Sequence, residues 1–140
     1  MSVAVVDASV WCDALLPGPR RTAARSALDS YTAMAAPEHL QLEITQVLRR
    51  HARHDLGAVR AEAILRTLRE MPVEHVPTRT LLDRIWELRE ALTAYDAAYV
   101  AVAEQRDAPL ITRDKGLLAH AGTVRCAVLA VPPEQGASAQ

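Results

Sequence analysis

Asp7, Glu43, Asp96 and Asp114 each stand beside apolar residues rather than on a polar run. Val3-Ala4-Val5-Val6 leads straight into Asp7, and Leu110-Ile111-Thr112-Arg113 leads into Asp114. Short apolar runs of this kind read as strands buried on both faces. In an open α/β sheet, chemistry gathers outside the carboxyl ends of such strands. Glu43 lies at the edge of a helical stripe made by Leu40, Ile44 and Val47. Asp96 shares a face with Tyr99, Val100 and Ala103, in a helix of small residues that packs closely.

Each acid also has an ordinary role open to it. Asp7 suits an N-cap, Glu43 a surface ion pair, and Asp114 a turn. Thr93-x-x-Asp96 has the form of a capping box. Together they are harder to explain that way. Two like charges about 4 Å apart repel by roughly 4 kcal/mol at an effective dielectric of 20. A domain has only about 5–15 kcal/mol of stability to lose. A cleft of four carboxylates therefore holds protons or cations. With no His or Cys in the set, the donors suit Mg²⁺ or Mn²⁺, ions that also bind phosphates and ionise a water for attack on phosphorus. The residues thus point to metal-dependent phosphoester hydrolysis.

The elements that must position these acids follow from periodicity and punctuation. Val10–Leu16 reads as a short helical turn closed by Pro17-Gly18-Pro19, and Arg20–Ala33 as a helix. Met34–Pro37 is extended, because Pro37 disfavours helix at Ala36. Helices are expected over Glu38–His54, with Gly57 as a C-terminal cap, and over Ala58–Met71, with Val59, Ile64, Leu65 and Leu68 as apolar points. Val73–Val76 is a strand, and Thr78–Leu92 a helix with a stripe of Leu81, Leu82, Ile85, Trp86 and Leu88. A helix from Thr93 to Arg106 precedes a strand at Pro109–Thr112, a brief helix at Gly116–His120 and a last strand near Arg125–Val131. Alternating strands and helices imply a parallel sheet in a three-layer α/β/α sandwich. One domain over 1–131 is expected, with 132–140 reading as a disordered tail.

Composition narrows the class. At 140 residues, half of them hydrophobic, the chain can bury a single core. A net charge of −1 gives no global pull towards nucleic acid, so a polyanion must be held by a local basic patch or by bound cations. Cys12 and Cys126 form no CxxC pair, and His39, His51, His54, His75 and His120 show no zinc spacing. No run reaches membrane-spanning length, so a cytoplasmic protein is expected.

VVDASV, PEHLQLEITQVLRR, YDAAYVAVAE and APLITRDKGLLAHA, in this order and spacing, resemble the PIN-domain ribonucleases, above all the VapC toxins of bacterial type II toxin–antitoxin pairs. The resemblance runs from Val3 to about Val131. It implies a parallel five-stranded sheet in the order 3-2-1-4-5. It implies that Asp7, Glu43, Asp96 and Asp114 hold one or two Mg²⁺ or Mn²⁺ ions, which activate a water that cleaves RNA and leaves a 5′-phosphate. Ser9 and Thr112 match supporting hydroxyl positions. Gln46 departs from the family's usual Asn, which touches only a local hydrogen bond. The resemblance further implies a homodimer and a VapB-type antitoxin, clamped by the helices after Pro19 and over Ala58–Met71, with Ala24, Leu28, Leu65 and Leu68 as candidate contacts. Arg20, Arg21, Arg49, Arg50 and Arg53 are candidates for steering RNA phosphates.

Three other readings compete. A haloacid-dehalogenase-type phosphatase needs a second Asp where Ser9 stands, and a response-regulator receiver needs a lysine that Arg125–Val131 lacks. A catalytically weak interaction protein of the same fold is opposed by the presence of all four acids.

Overall fold

The computed structural model describes residues 2–132. Its centre is β1 (Val3–Val6), buried almost throughout. Parallel to it lie β2 (Ala33–Pro37) and β4 (Leu110–Thr112), flanked by β3 (Val73–Val76) and β5 (Val128–Ala130). The sheet order is β3-β2-β1-β4-β5, as expected. Val3 is in register with Ala33, and Val5 with Leu110.

Seven helices connect the strands among the described residues: α1 (Ala8–Leu15), α2 (Arg21–Asp29), α3 (Leu40–Ala52), α4 (Ala58–Glu70), α5 (Leu82–Glu87), α6 (Ala94–Gln105) and α7 (Lys115–Ala119). Parallel crossovers are right-handed. The path from β1 to β3 runs one way across the sheet and the path on to β5 runs the other, so the helices fall on opposite faces. This is a three-layer α/β/α sandwich. The reversal lies between β1 and β4, and ligands collect at such a switch point. Asp7 and Asp114 follow the ends of these two strands.

The core is aliphatic and small-residue rich. α6 packs on β1, β2 and β4. Ala97, Ala98, Ala101 and Ala103 let it approach closely, and Tyr99, Val100 and Val102 fill the gaps between them. From Ala97 to Ala103 the helix is apolar on every side and buried on every side. Ala24 and Leu68 belong to this core, with Leu28 and Leu65 packed partly against it.

Several boundaries differ from expectation. α2 stops at Asp29 because Ala33 is already paired with Val3. Gly57 does not cap α3; it precedes α4 with φ 77°, a conformation that suits glycine. The long helix expected over Thr78–Leu92 breaks into a 3₁₀ turn at Thr78–Thr80 and the six-residue α5. There the Thr80 hydroxyl bonds the Pro77 carbonyl at 2.7 Å, a local alternative to the helical ladder. Its apolar stripe is split, since Leu81 and Leu88 are buried but Leu82 and Trp86 are exposed, as is Val59 on α4. β5 is shorter than the Arg125–Val131 run. The expected tail, apart from Pro132, lies outside the described residues.

Candidate active site

One cleft of about 920 Å³ is lined by Asp7, Glu43, Asp96 and Asp114 together. They come from four separate places: the end of β1, the first turn of α3, the first turn of α6 and the residue capping α7.

Asp7 is the most enclosed, at 6% exposure. It precedes α1, but its side chain does not cap the helix. Its Oδ2 instead accepts from the Ser9 hydroxyl at 2.7 Å and the Thr112 hydroxyl at 2.9 Å. Burial raises its pKa against the pull of these two hydroxyls, and the charges of Glu43 and Asp114 add to the rise. Ser9 also accepts from the Arg113 amide at 3.3 Å, and Thr112 from the Asp114 amide at 2.9 Å. The two hydroxyls therefore lace the end of β1 to the end of β4.

Asp96 is half-buried, and the Thr93 hydroxyl accepts from its amide at 3.2 Å, fixing the start of α6. Burial, then the charges of Asp114, Asp7 and Glu43, push its carboxyl up to about 6. Asp114 caps α7, its Oδ1 accepting from the Gly116 and Leu117 amides at 2.7 and 3.2 Å. A Cβ on Gly116 would lie 3.0 Å from that oxygen, so glycine leaves room for the cap. Both the turn role and the cleft position therefore hold for Asp114.

Glu43 accepts from the Tyr99 hydroxyl at 2.6 Å, and His39 Nε2 stands 3.2 Å from the same oxygen. The sequence places Tyr99 on the face of Asp96 without marking a role for its hydroxyl, and it marks none for His39. The three-residue step from Asp96 to Tyr99 carried the signal for Tyr99. His39 and Glu43 are four apart, the spacing of neighbours on a helix.

Among the described residues, no Arg, Lys or His lies within ion-pair distance of Asp7, Asp96 or Asp114. Arg113 lies in the cleft wall but is held by Asp13 through two bonds of 2.7 and 3.0 Å. Cys12 lines the cleft too, with burial pushing its thiol up to about 12, so it is no nucleophile near neutrality.

Of the arginines proposed to steer phosphates, Arg20 and Arg50 line this cleft. Arg50 follows Glu43 by seven residues and so shares its face. Arg49 and Arg53, the latter past the end of α3, do not line the cleft, and Arg21 lines a different groove beside Leu15, Leu56 and Ile64. Gln46 lines the cleft, yet none of the hydrogen bonds to the four acids among the described residues comes from it.

The donor set is chemically right for a hard divalent cation, being all oxygen and in excess of any local positive charge. It is not preassembled: among the described residues, no three His, Cys, Asp or Glu side chains converge tightly enough to enclose an ion. Glu43 and Asp114 each spend an oxygen on protein donors, and the mutual charge of the four acids disfavours closer approach.

A family model described as PIN domain matches residues 4–122. The chain belongs to the PIN domain family. Within that family it is similar to the VapC ribonucleases: one from Mycobacterium bovis is 39% identical over 130 residues, 91% of this chain and 98% of the relative. Among solved structures, Mycobacterium tuberculosis VapC20, described as a sarcin-ricin loop cleaving toxin, superposes with a TM-score of 0.67 at 20% identity, covering 84% of this chain and 94% of that one. VapBC2 from Rickettsia felis, bound to a fragment of its promoter DNA, superposes with a TM-score of 0.65 at 10% identity, covering 91% and 98%. At those identities the two structures speak for the PIN fold alone. Among the described residues of this PIN domain, no helix is long and apolar enough to cross a membrane.

Proposed function

We propose that this chain is a divalent-metal-dependent endoribonuclease and the toxin of a VapBC-type pair. The observation that carries the reading is the convergence of four acids from four separate elements on one cleft, with Asp7 buried and, among the described residues, without a cationic partner. Bound there, Mg²⁺ or Mn²⁺ would offset the acids' repulsion, polarise a phosphodiester and ionise a water for in-line attack. Asp7 would be the central ligand, with Asp96, Asp114 and Glu43 completing the set.

The chain's own residues prepare that chemistry. Ser9 and Thr112 hold one oxygen of Asp7 and, among the described residues, leave the other without a protein donor to compete for it. Asp114 engages the α7 amides through Oδ1 only. Tyr99 fixes the Glu43 side chain from the neighbouring helix. Arg20 and Arg50 at the cleft wall would draw in RNA phosphates, which acids alone would repel. Hydrolysis would leave a 5′-phosphate.

Relatives named as VapC ribonucleases support the activity, and a VapB-type antitoxin is the partner this reading implies. A VapB-type antitoxin would lie over the acidic cleft between α2 and α4, and the toxin would act as a homodimer in the cytoplasm. The purified chain, incubated with RNA in Mn²⁺, should produce discrete fragments with 5′-phosphates and none in EDTA. An intact RNA in Mn²⁺ beside tight antitoxin binding would mark the chain as an interaction protein instead.

A further inference from the structure

On each of the two helices that carry an acid into the cleft, the residue just before the acid is a large apolar side chain left open to solvent. Leu42 precedes Glu43 and is 74% exposed; Tyr95 precedes Asp96 and is 65% exposed. Among the described residues, other large hydrophobics are exposed at Val59, Leu82, Trp86 and Leu129, but none of those lines this cleft. Isolated exposed apolar residues need no explanation. Two that flank one acidic centre do.

Tyr95 is also held in place. Thr93 caps its helix, and its ring meets the His39 ring edge-on, with centroids 5.5 Å apart and planes at 76°. The His39 ring is backed in turn by the buried Tyr99 at 5.3 Å. A ring ordered before binding loses little entropy when a partner settles on it.

We propose that Tyr95 is a nucleobase platform, with Leu42 as a second apolar contact: an unpaired base beside the scissile phosphate stacks on the Tyr95 ring. The inference rests on the ribonuclease reading above. When a phosphate occupies the acidic cleft, the bases on either side of it lie against its walls, where Leu42 and Tyr95 are, among the described residues, the exposed large hydrophobics. A base inside a duplex has no free face to offer, whereas a base in a loop or single strand does. Stacking on an aromatic side chain tolerates any base, so the platform sets strandedness and position rather than sequence.

The test is steady-state cleavage of a single-stranded RNA in Mn²⁺ by the full chain and by Tyr95→Ala, Tyr95→Phe and Leu42→Ala. Tyr95→Ala should raise KM about tenfold and leave kcat within about twofold, and Tyr95→Phe should restore KM. Because the side chain is exposed, the melting temperature should not move. A set of RNAs, each lacking one base, supplies a readout that a structural role would not move. One abasic position should cost the parent enzyme the same factor and cost Tyr95→Ala nothing further. Equal KM values for the parent, Tyr95→Ala and Tyr95→Phe, or abasic penalties that persist in Tyr95→Ala, overturn the platform while leaving the ribonuclease reading intact. Loss of antitoxin affinity without change in RNA cleavage overturns it too. Failure of the parent to cleave RNA is the separate failure of the ribonuclease reading.

Discussion

The Thr112 hydroxyl on β4 donates to Asp7 at the end of β1 across 2.9 Å and accepts from the Asp114 amide at the same distance. One fully buried oxygen thus couples two acids that lie more than a hundred residues apart, with a sequence separation of 105 between Thr112 and Asp7. Its position at the topological switch point makes it part of the sheet and part of the site at once.

Thr112→Val keeps the shape and removes that oxygen. It strands the Asp114 amide and deprives Asp7 of a donor, which should cost roughly 1–3 kcal/mol in chemical unfolding. Thr112→Ser should recover most of the loss. A Thr112→Val protein as stable as the parent would show that the hydroxyl does not join the strands.

This coupling was legible in the sequence only in outline. Two β-branched runs ending on acids announced β1 and β4, because a strand buried on both faces leaves little room for any other pattern. Glu43 and Asp96 were legible from their place beside helical apolar stripes. The partners that organise the site were less so: the Tyr99–Glu43 bond spans 56 residues, and no local periodicity reports such a contact. The segment after Pro77 misled for a local reason. Leu81, Leu82, Ile85, Trp86 and Leu88 spell a helical stripe, but a 3₁₀ turn at Thr78–Thr80 rotates it and leaves Trp86 beside Arg89 at the surface.

The repulsion within the cleft has a stability cost that should be measurable without metal. Burial and the other three acids oppose ionisation of Asp96. In EDTA at neutral pH, Asp96→Asn should therefore be more stable than the parent. Because the side chain is only half-buried, solvent screening limits the gain to about 1 kcal/mol. In saturating Mn²⁺ the order should reverse, since a ligand bound only by the folded state stabilises it. Lower stability of Asp96→Asn in EDTA would contradict the repulsion account.

At the other end of the sheet, Glu104 predicts an acid limit. Its side chain is 10% exposed, and it accepts from Arg84 at 2.7 and 3.1 Å and from the Arg125 amide at 2.8 Å. Burial works to raise its pKa, but the Arg84 bonds and the Arg125 amide outweigh it and hold the carboxyl below its ordinary value. A carboxylate lowered on folding stabilises the fold above its unfolded pKa, and that contribution is lost as pH falls through the folded value. Glu104→Gln should thus cost roughly 1–3 kcal/mol at pH 7, with the gap to the parent closing as pH falls from about 5 towards 3. A gap that stays constant over that range would remove Glu104 from the acid transition.

The four-acid cleft is tested most directly by calorimetric titration of Mn²⁺ into the parent protein and into Asp7→Asn, with RNA cleavage followed on the same samples. The parent should bind Mn²⁺ and cleave, and Asp7→Asn should lose both while keeping the circular dichroism of the folded sheet. Undiminished Mn²⁺ binding and cleavage by a folded Asp7→Asn would contradict the assignment of Asp7 as the central ligand.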